Sequence, residues 1–233
     1  AQSDRLMLEY MIGVEDTAIY SFGFNVVMPI SIIWYALNHA WVPEYHELMK
    51  QNKLDKVLKH SKNYMFVFTC LASGYVLISN EVLFLLGTDD YYSAKLVLPL
   101  MTLYYYLQFL YTFPINYEFY RNNTKLLGVA MTLAAVINVV LNYCLIPRYQ
   151  IAGALCASIV ASLFIFLFHE YNARFMLKGY HYNVSFYLKG FVPFIVAIIL
   201  AYAFMDNMLM RWSVAGVLGI LLIRHLIKEK NIL

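Results

Sequence analysis

The sequence predicts an all-α fold: a polytopic transmembrane helix bundle of about seven helices. Hydrophobic residues make up 62% of the 233 positions. Charged residues make up only 13%, whereas soluble domains carry about 25%. Seven stretches of mostly apolar residues approach the length of about 20 residues that is needed to cross about 30 Å of hydrocarbon. They cover approximately residues 17–42, 64–87, 96–117, 126–147, 150–169, 187–205 and 212–227.

The positions of the 17 Lys and Arg residues predict the orientation of these spans. Cytoplasmic loops of membrane proteins are enriched in Lys and Arg. Here the basic residues concentrate in segment 50–62, after the third and fifth spans, and at the C-terminal end, which includes Lys230. We therefore predict an external N-terminus and an internal C-terminus. The net charge of +3 is too small to indicate nucleic-acid binding.

We predict a single transmembrane domain over residues 1–233. The chain opens with Ala rather than Met, and its opening has neither the basic start nor the apolar core of a signal peptide. An odd number of spans with an external start fits a chain that begins after an earlier crossing. We therefore expect a fragment.

The sequence contains no motif that predicts catalysis. A phosphate-binding glycine loop, a His-Glu-x-x-His pair and a Gly-x-Ser-x-Gly elbow are all absent. Cys70, Cys144 and Cys156 lie in apolar stretches without metal-ligand spacing. Lone histidines such as His39 and His169 are interpreted as capping or boundary residues. We expect no enzyme, no cofactor and no metal site.

Polar side chains align along several predicted spans. Because a polar group in hydrocarbon is costly, such residues face the bundle interior or a water-filled cavity. Residues four apart share a helix face, as they do on the third and fourth spans. Two interpretations stay open: the polar faces line a hydrated cavity, or they form interhelical hydrogen bonds worth about 1 kcal/mol or less each. The candidate cavity residues are Asn25, Gln108, Thr112, Asn116, Asn138 and Asn142, and the second span adds Thr69, Ser73 and Asn80.

The fifth span carries two rows of small residues, which allow another helix to approach closely. The rows are Gly153, Ala157 and Ala161 beside Ala154, Ser158 and Ser162. We interpret both rows as packing surfaces.

Three charged residues are further candidates. Glu81 lies inside the second span, where an acid could couple transport to protons or cations. The alternative is that this span ends early and leaves Glu81 at the outer interface. Asp4 and Arg5 stand before the first span, and Arg5 could contact a phosphate through two parallel hydrogen bonds. An exposed polar terminus is the alternative for this pair.

Residues 137–147 read Ile-Asn-Val-Val-Leu-Asn-Tyr-Cys-Leu-Ile-Pro, and residues 153–158 read Gly-Ala-Leu-Cys-Ala-Ser. This resembles a hallmark of the polysaccharide biosynthesis exporters, the O-antigen flippase family of the MOP superfamily. That family reads Asn-Tyr, Leu-Ile-Pro, then Gly-x-x-Gly-Ala-Ala-x-Ala-Thr. Gln150 replaces the first of these glycines and Ser158 the Thr, so we expect a less tight turn between the fourth and fifth spans. Segments 3–8, 19–21, 41–43, 85–87 and 92–94 agree in order and spacing.

The resemblance implies the C-terminal lobe of a MATE-like flippase whose N-terminal lobe is absent from this chain. It implies export of an undecaprenyl-pyrophosphate-linked oligosaccharide by alternating access across the bacterial inner membrane, with a periplasmic N-terminus and a cytoplasmic C-terminus. The cavity residues, with Asp4 and Arg5, would meet the sugars and the pyrophosphate. The implied partners are the lipid-linked oligosaccharide, membrane lipids and other membrane proteins of glycan or lipopolysaccharide assembly.

Three rival functions remain. A multidrug antiporter of the same superfamily would use Glu81 or Asp4 for cation coupling. A membrane glycan polymerase or ligase would carry a large external loop with catalytic Arg or His, whereas the predicted external loops are short. A scaffold that transports nothing would not need polar stripes on four spans.

Overall fold

The computed structural model describes residues 2–229 and, from residue 3 onward, their side chains; Lys230 lies outside this range. All regular elements in the range are helical. They are α1 (Gln2–Met11), α2 (Val14–Lys50), α3 (Leu54–Leu86), a 3-10 helix (Asp89–Leu96), α4 (Leu98–Tyr120), α5 (Lys125–Tyr171), a short π-helix (Asn172–Met176), α6 (Val184–Ala203) and α7 (Met208–Lys228).

Five of these helices are long and apolar enough to cross a membrane, or six if the 3-10 helix and α4, bent by 57°, count as one span. The predicted all-α bundle is therefore confirmed, and the helices indicate a multi-pass membrane protein. The count of seven spans stays a prediction.

The lysine-rich segment 50–62 differs from the loop that the sequence suggested. It is helical on both sides of a short turn at residues 51–53, since α2 continues to Lys50 and α3 begins at Leu54. Lys, Glu and Leu have high helix propensity, so a charged stretch outside the hydrocarbon can prolong a membrane helix. Hydropathy alone places helix ends where the apolar run stops.

α5 is a hairpin of two helical arms that meet at Gln150, whose backbone angles (φ 50°, ψ −129°) are not helical. A straight helix of 47 residues would be about 70 Å long. Instead, Asn138 on the first arm lies 3.2 Å from the Ser158 hydroxyl on the second. A Cβ atom on Gly153 would stand 2.6 Å from the carbonyl oxygen of Leu145, so this approach requires glycine. The turn is tight, and the expectation that Gln150 makes it less tight than the family's glycine would stays a prediction.

The structure divides into two compact units. Within the described residues, unit 1 comprises residues 2–28 and 81–180, and unit 2 comprises residues 29–80 and 181–229. In unit 1, α4 and α1 both pack against the α5 hairpin. The core between them includes the T-shaped ring pair Phe109 and Phe113 on α4.

Unit 2 is built from the second part of α2, most of α3, and helices α6 and α7. Glu44 on α2 pairs with His60 on α3 at 2.7 Å. Lys59 pairs with Glu229 at 2.8 Å, and Ser61 lies 2.6 Å from the Tyr182 hydroxyl. These contacts bring segment 50–62, the connection before α6 and the C-terminal end of α7 to one end of unit 2. All three were predicted to be cytoplasmic, and their side of the membrane stays a prediction.

Candidate functional site

The side chain of Asp4 is the centre of a buried hydrogen-bond network in unit 1. It is 0% exposed. One carboxylate oxygen accepts from the amides of Asn138 (3.0 Å) and Asn142 (2.7 Å). The other accepts from the hydroxyls of Tyr20 (3.0 Å) and Ser158 (2.7 Å). The alternative of an exposed polar terminus is therefore wrong for Asp4.

All four partners are donors, which fits an ionised carboxylate, because that form only accepts hydrogen bonds. They come from three different segments: Asn138 and Asn142 from the first arm of α5, Ser158 from the second arm, and Tyr20 from α2. One carboxylate therefore ties α1 to both arms of the hairpin and to α2. We call this set of five side chains the Asp4 network.

The amide of Asn142 keeps one unused polar atom. Its nitrogen donates to Asp4 and, at 3.2 Å, to the Asn138 oxygen, which also accepts from Ser3 at 3.0 Å. Its own oxygen is buried and has no hydrogen-bond partner among the described residues. A reversed amide would point this oxygen at the Asp4 carboxylate, so the network fixes the orientation. An acceptor thus remains inside the site.

A cavity of about 280 Å³ borders the Asp4 network between α4 and the α5 hairpin. This volume is near the lower end of the range typical of small-molecule sites. Its wall combines aromatic rings with hydroxyl and amide groups, so it can make apolar contacts and hydrogen bonds to one ligand. The polar and aromatic residues of the wall are Ser3, Tyr104, Gln108, Tyr111, Asn138, Ser158 and Ser162.

The structure therefore brings together four of the predicted site residues: Asp4, Asn138 and Asn142 in the network and Gln108 in the adjoining cavity. The two interpretations of the polar stripes both apply there, since Asn138 bonds across helices and also lines the cavity.

Other predicted residues lie apart from this cavity. Thr112 and Asn116 are buried on α4 and do not line it. Thr112 donates back to the Gln108 carbonyl of its own helix at 3.4 Å, which is a local bond. Asn25 is exposed on α2. Asn80, from the stripe on the second span, donates to the Met205 carbonyl at 3.5 Å.

The remaining two charged candidates are only partly buried. Arg5 is half-buried next to Asp4 in sequence, and its Nε atom is buried without a hydrogen-bond partner in the described part of the chain. Glu81 is half-buried five residues before the last residue of α3, so the helix does not end before it. The network does not include either residue.

Sequence analysis missed three kinds of contributor. Ser158 was assigned to packing, but it donates to Asp4. Tyr20 was not singled out. Tyr104 and Tyr111 were not singled out either, although both lie on the same predicted span as Gln108. The fold of the α5 hairpin was the missing information, because it alone places residue 158 beside residue 138.

A second buried polar cluster joins α4 to the end of α5. The Glu118 carboxylate, 1% exposed, lies 2.9 Å from Nδ1 of His169, which is 0% exposed, and accepts from the Asn172 amide at 2.8 Å. His169 lies in the last turn of α5, as the boundary interpretation predicted, but its buried ring also pairs with Glu118. An acid buried without partners would be strongly destabilising, so His169 and Asn172 compensate Glu118.

No model of a known protein family matches this chain, and no solved structure matches it. Among curated proteins, the chain is similar to the "Lsg locus putative protein 1" of Haemophilus influenzae, with 27% identity over 141 residues. The alignment covers 59% of this chain and 35% of that protein, so the chain matches about a third of its relative's length. The name of the relative states a locus and no activity.

Proposed function

We propose that this chain is the C-terminal lobe of a flippase that exports lipid-linked oligosaccharides across the bacterial inner membrane. The substrate is a glycan on undecaprenyl pyrophosphate, and the chain acts as a transporter rather than as an enzyme. The proposal combines the motif resemblance at residues 137–158 with the geometry of unit 1. It includes seven spans, because the two arms of α5 are counted separately, and it includes a periplasmic N-terminus with a cytoplasmic C-terminus.

The observation that carries the proposal is the cavity beside the Asp4 network. Sugars present hydroxyl groups around the ring edge and apolar C–H groups on the ring faces. Gln108 and Ser162 offer an amide and a hydroxyl group as hydrogen-bond partners in the cavity wall. The rings of Tyr104 and Tyr111 offer flat apolar surfaces in the same wall. The wall described here therefore matches one or a few sugar residues.

The Asp4 network gives this cavity a rigid support. Asp4 bonds to side chains on both arms of α5, so α1 and the hairpin are held in one arrangement around the cavity. In alternating access, bundles move as units around a fixed site. We propose that α1 and α5 move as one such unit while the glycan occupies the cavity.

Complementation is the experiment that tests this function. The full-length protein is expressed in a strain that lacks its O-unit flippase, and surface glycan is measured. Restored glycan on the surface is the expected result. Unchanged loss of glycan, despite normal amounts of protein in the membrane, would remove the flippase proposal.

A cation-coupled drug antiporter is the second candidate, and the Asp4 carboxylate favours it. Protonation of Asp4 would remove its negative charge and turn one oxygen into a donor, so Tyr20 or Ser158 would have to accept a hydrogen bond instead of donating one. Proton binding would therefore rearrange the network and weaken its charge-assisted hydrogen bonds, which is the behaviour that a coupling site requires. Drug resistance gained in the same strain, without surface glycan and lost in Asp4→Asn, would favour this alternative.

A further inference from the structure

Unit 2 contains a larger cavity that the proposed glycan site does not use. It has a volume of about 570 Å³ and lies between α3, α6 and α7. A second cavity of about 300 Å³ lies next to it, and the two share Cys70 and Leu218 as lining residues. The first cavity lies on the face of α3 that carries Lys62, Phe66 and Ser73, and the second on the neighbouring face that carries Gly74 and Ile78. We call the two adjoining cavities together the groove.

The end of the groove near Lys62 is basic. The exposed Lys62 and Lys189 both line it, and so does His225. Nε2 of His225 is buried and has no hydrogen-bond partner within the part of the chain that the structure describes. The first turn of the 20-residue helix α6 also lines this end, through Ser185. A helix N-terminus favours negative charge, so four features here attract the same kind of group.

The rest of the groove is apolar. Its wall includes Phe66, Phe186 and Leu221 in the first cavity, and Ile78 and Leu222 in the second. Two buried polar side chains, Thr69 and Ser73, interrupt it, and the hydroxyl of Ser73, 2% exposed, has no hydrogen-bond partner among the described residues. The apolar window of α7 is only 6% buried, so the structure leaves the helix beside the groove largely uncovered.

We propose that this groove binds an anionic glycerophospholipid, with its phosphate between Lys62, Lys189 and His225 and one acyl chain along α3 and α7. Basic pockets between membrane helices recognise anionic lipid head groups. A soluble phosphate would leave the apolar wall unused. A zwitterionic phospholipid would bring a cationic ammonium group next to the two lysines. The lipid is a permanent ligand of unit 2 and does not need to cross the membrane.

Two glycines make the acyl part of the groove testable. A Cβ atom on Gly74 or Gly219, both lining the second cavity, would meet no atom within 4 Å. A larger side chain at position 219 would therefore begin in open space inside the second cavity, and leucine there would also raise helix propensity. Gly216 lies on the same helix, is equally open, and does not line either cavity. Gly216→Leu is the matched control.

The experiment is a lipid titration of the purified, delipidated protein, followed by native mass spectrometry. The probes are dioleoyl phosphatidylglycerol, dioleoyl phosphatidylcholine, undecaprenyl phosphate and glycerol phosphate. We expect phosphatidylglycerol to bind at least tenfold more tightly than phosphatidylcholine. Lys62→Gln with Lys189→Gln should weaken it about tenfold or more, because each lysine contributes to anionic lipid binding.

The controls separate the site from general surface charge. Lys56→Gln with Lys125→Gln removes two exposed lysines outside the groove and should leave binding unchanged. Gly219→Leu should weaken lipid binding, whereas Gly216→Leu should not. Equal binding of both phospholipids, tighter binding of undecaprenyl phosphate, or glycerol phosphate binding as tight as that of the lipid would each overturn the proposal. These readouts do not depend on whether the protein flips glycans.

Discussion

Truncation of Asp4 to alanine should destabilise unit 1 severely. The change removes the acceptor of four hydrogen bonds, with lengths of 2.7 to 3.0 Å. The amides of Asn138 and Asn142 keep weaker contacts at 3.2 Å, but the hydroxyls of Tyr20 and Ser158 lose their acceptor. Removing one partner of a buried charged network costs about 3–5 kcal/mol of the free energy of unfolding. In a protein of this size, that corresponds to a fall of about 10 °C in Tm.

Asp4→Asn should be tolerated much better. Its amide oxygen can accept from Asn138 and Asn142, and its nitrogen can donate to Tyr20 and Ser158, whose hydroxyls also accept. We therefore expect a loss of about 1 kcal/mol. This variant removes the negative charge but retains the hydrogen-bond pattern.

Thermal unfolding of the purified protein in detergent measures the order of these variants. The expected order of Tm is wild type, then Asp4→Asn slightly below, then Asp4→Ala far below. Glu9→Ala, an exposed acid on the same helix, is the control and should match the wild type. A Tm for Asp4→Ala within about 2 °C of wild type would refute the network as a structural element.

Three further predictions concern residues in or near the connections between helices. Gln150→Gly should stabilise the protein by about 1 kcal/mol in chemical unfolding, because φ is 50° there, whereas Tyr149→Gly should not. Arg211 is 3% exposed and donates to the backbone carbonyls of two other residues at 2.7 and 3.1 Å. Arg211→Ala should therefore lower the free energy of unfolding by about 3 kcal/mol in the same assay, whereas Arg224→Ala, at an exposed position, should leave it almost unchanged. Burial lowers the pKa of His181 from 6.5 to about 4. Between about pH 6.5 and pH 4, the unfolded chain binds a proton at His181 that the folded chain does not. The Tm should therefore fall as the pH drops through this range, and it should fall less in His181→Gln.

Composition and hydropathy predicted the all-α membrane bundle, because the cost of charge in hydrocarbon leaves a signal in every span. The ends of the helices were less predictable. Segment 50–62 is polar and yet helical, since helix formation continues outside the hydrocarbon where hydropathy gives no information. The turn between the fourth and fifth spans was predicted, but the backbone angle at Gln150 was not, because glutamine does not favour it.

The site was predictable where its residues share one helix. Asn138 and Asn142, four residues apart, were found by their spacing and do bond to each other. Ser158 and Tyr20 were missed, because their place beside Asp4 follows from the tertiary fold and leaves no periodic signal. The pair of Glu118 and His169 was missed for the same reason, since 51 residues separate its members.

Glycan movement through the cavity is the central claim, and transbilayer transport measures it most directly. The full-length protein is reconstituted in vesicles with a fluorescent undecaprenyl-pyrophosphate oligosaccharide, and the rate of its movement between leaflets is recorded. Gln108→Leu replaces an amide in the cavity wall, and Asn25→Leu replaces an exposed amide outside it. We predict a rate at least tenfold lower for Gln108→Leu, the equivalent of about 1.4 kcal/mol, and an unchanged rate for Asn25→Leu. Equal rates for the two variants would contradict it.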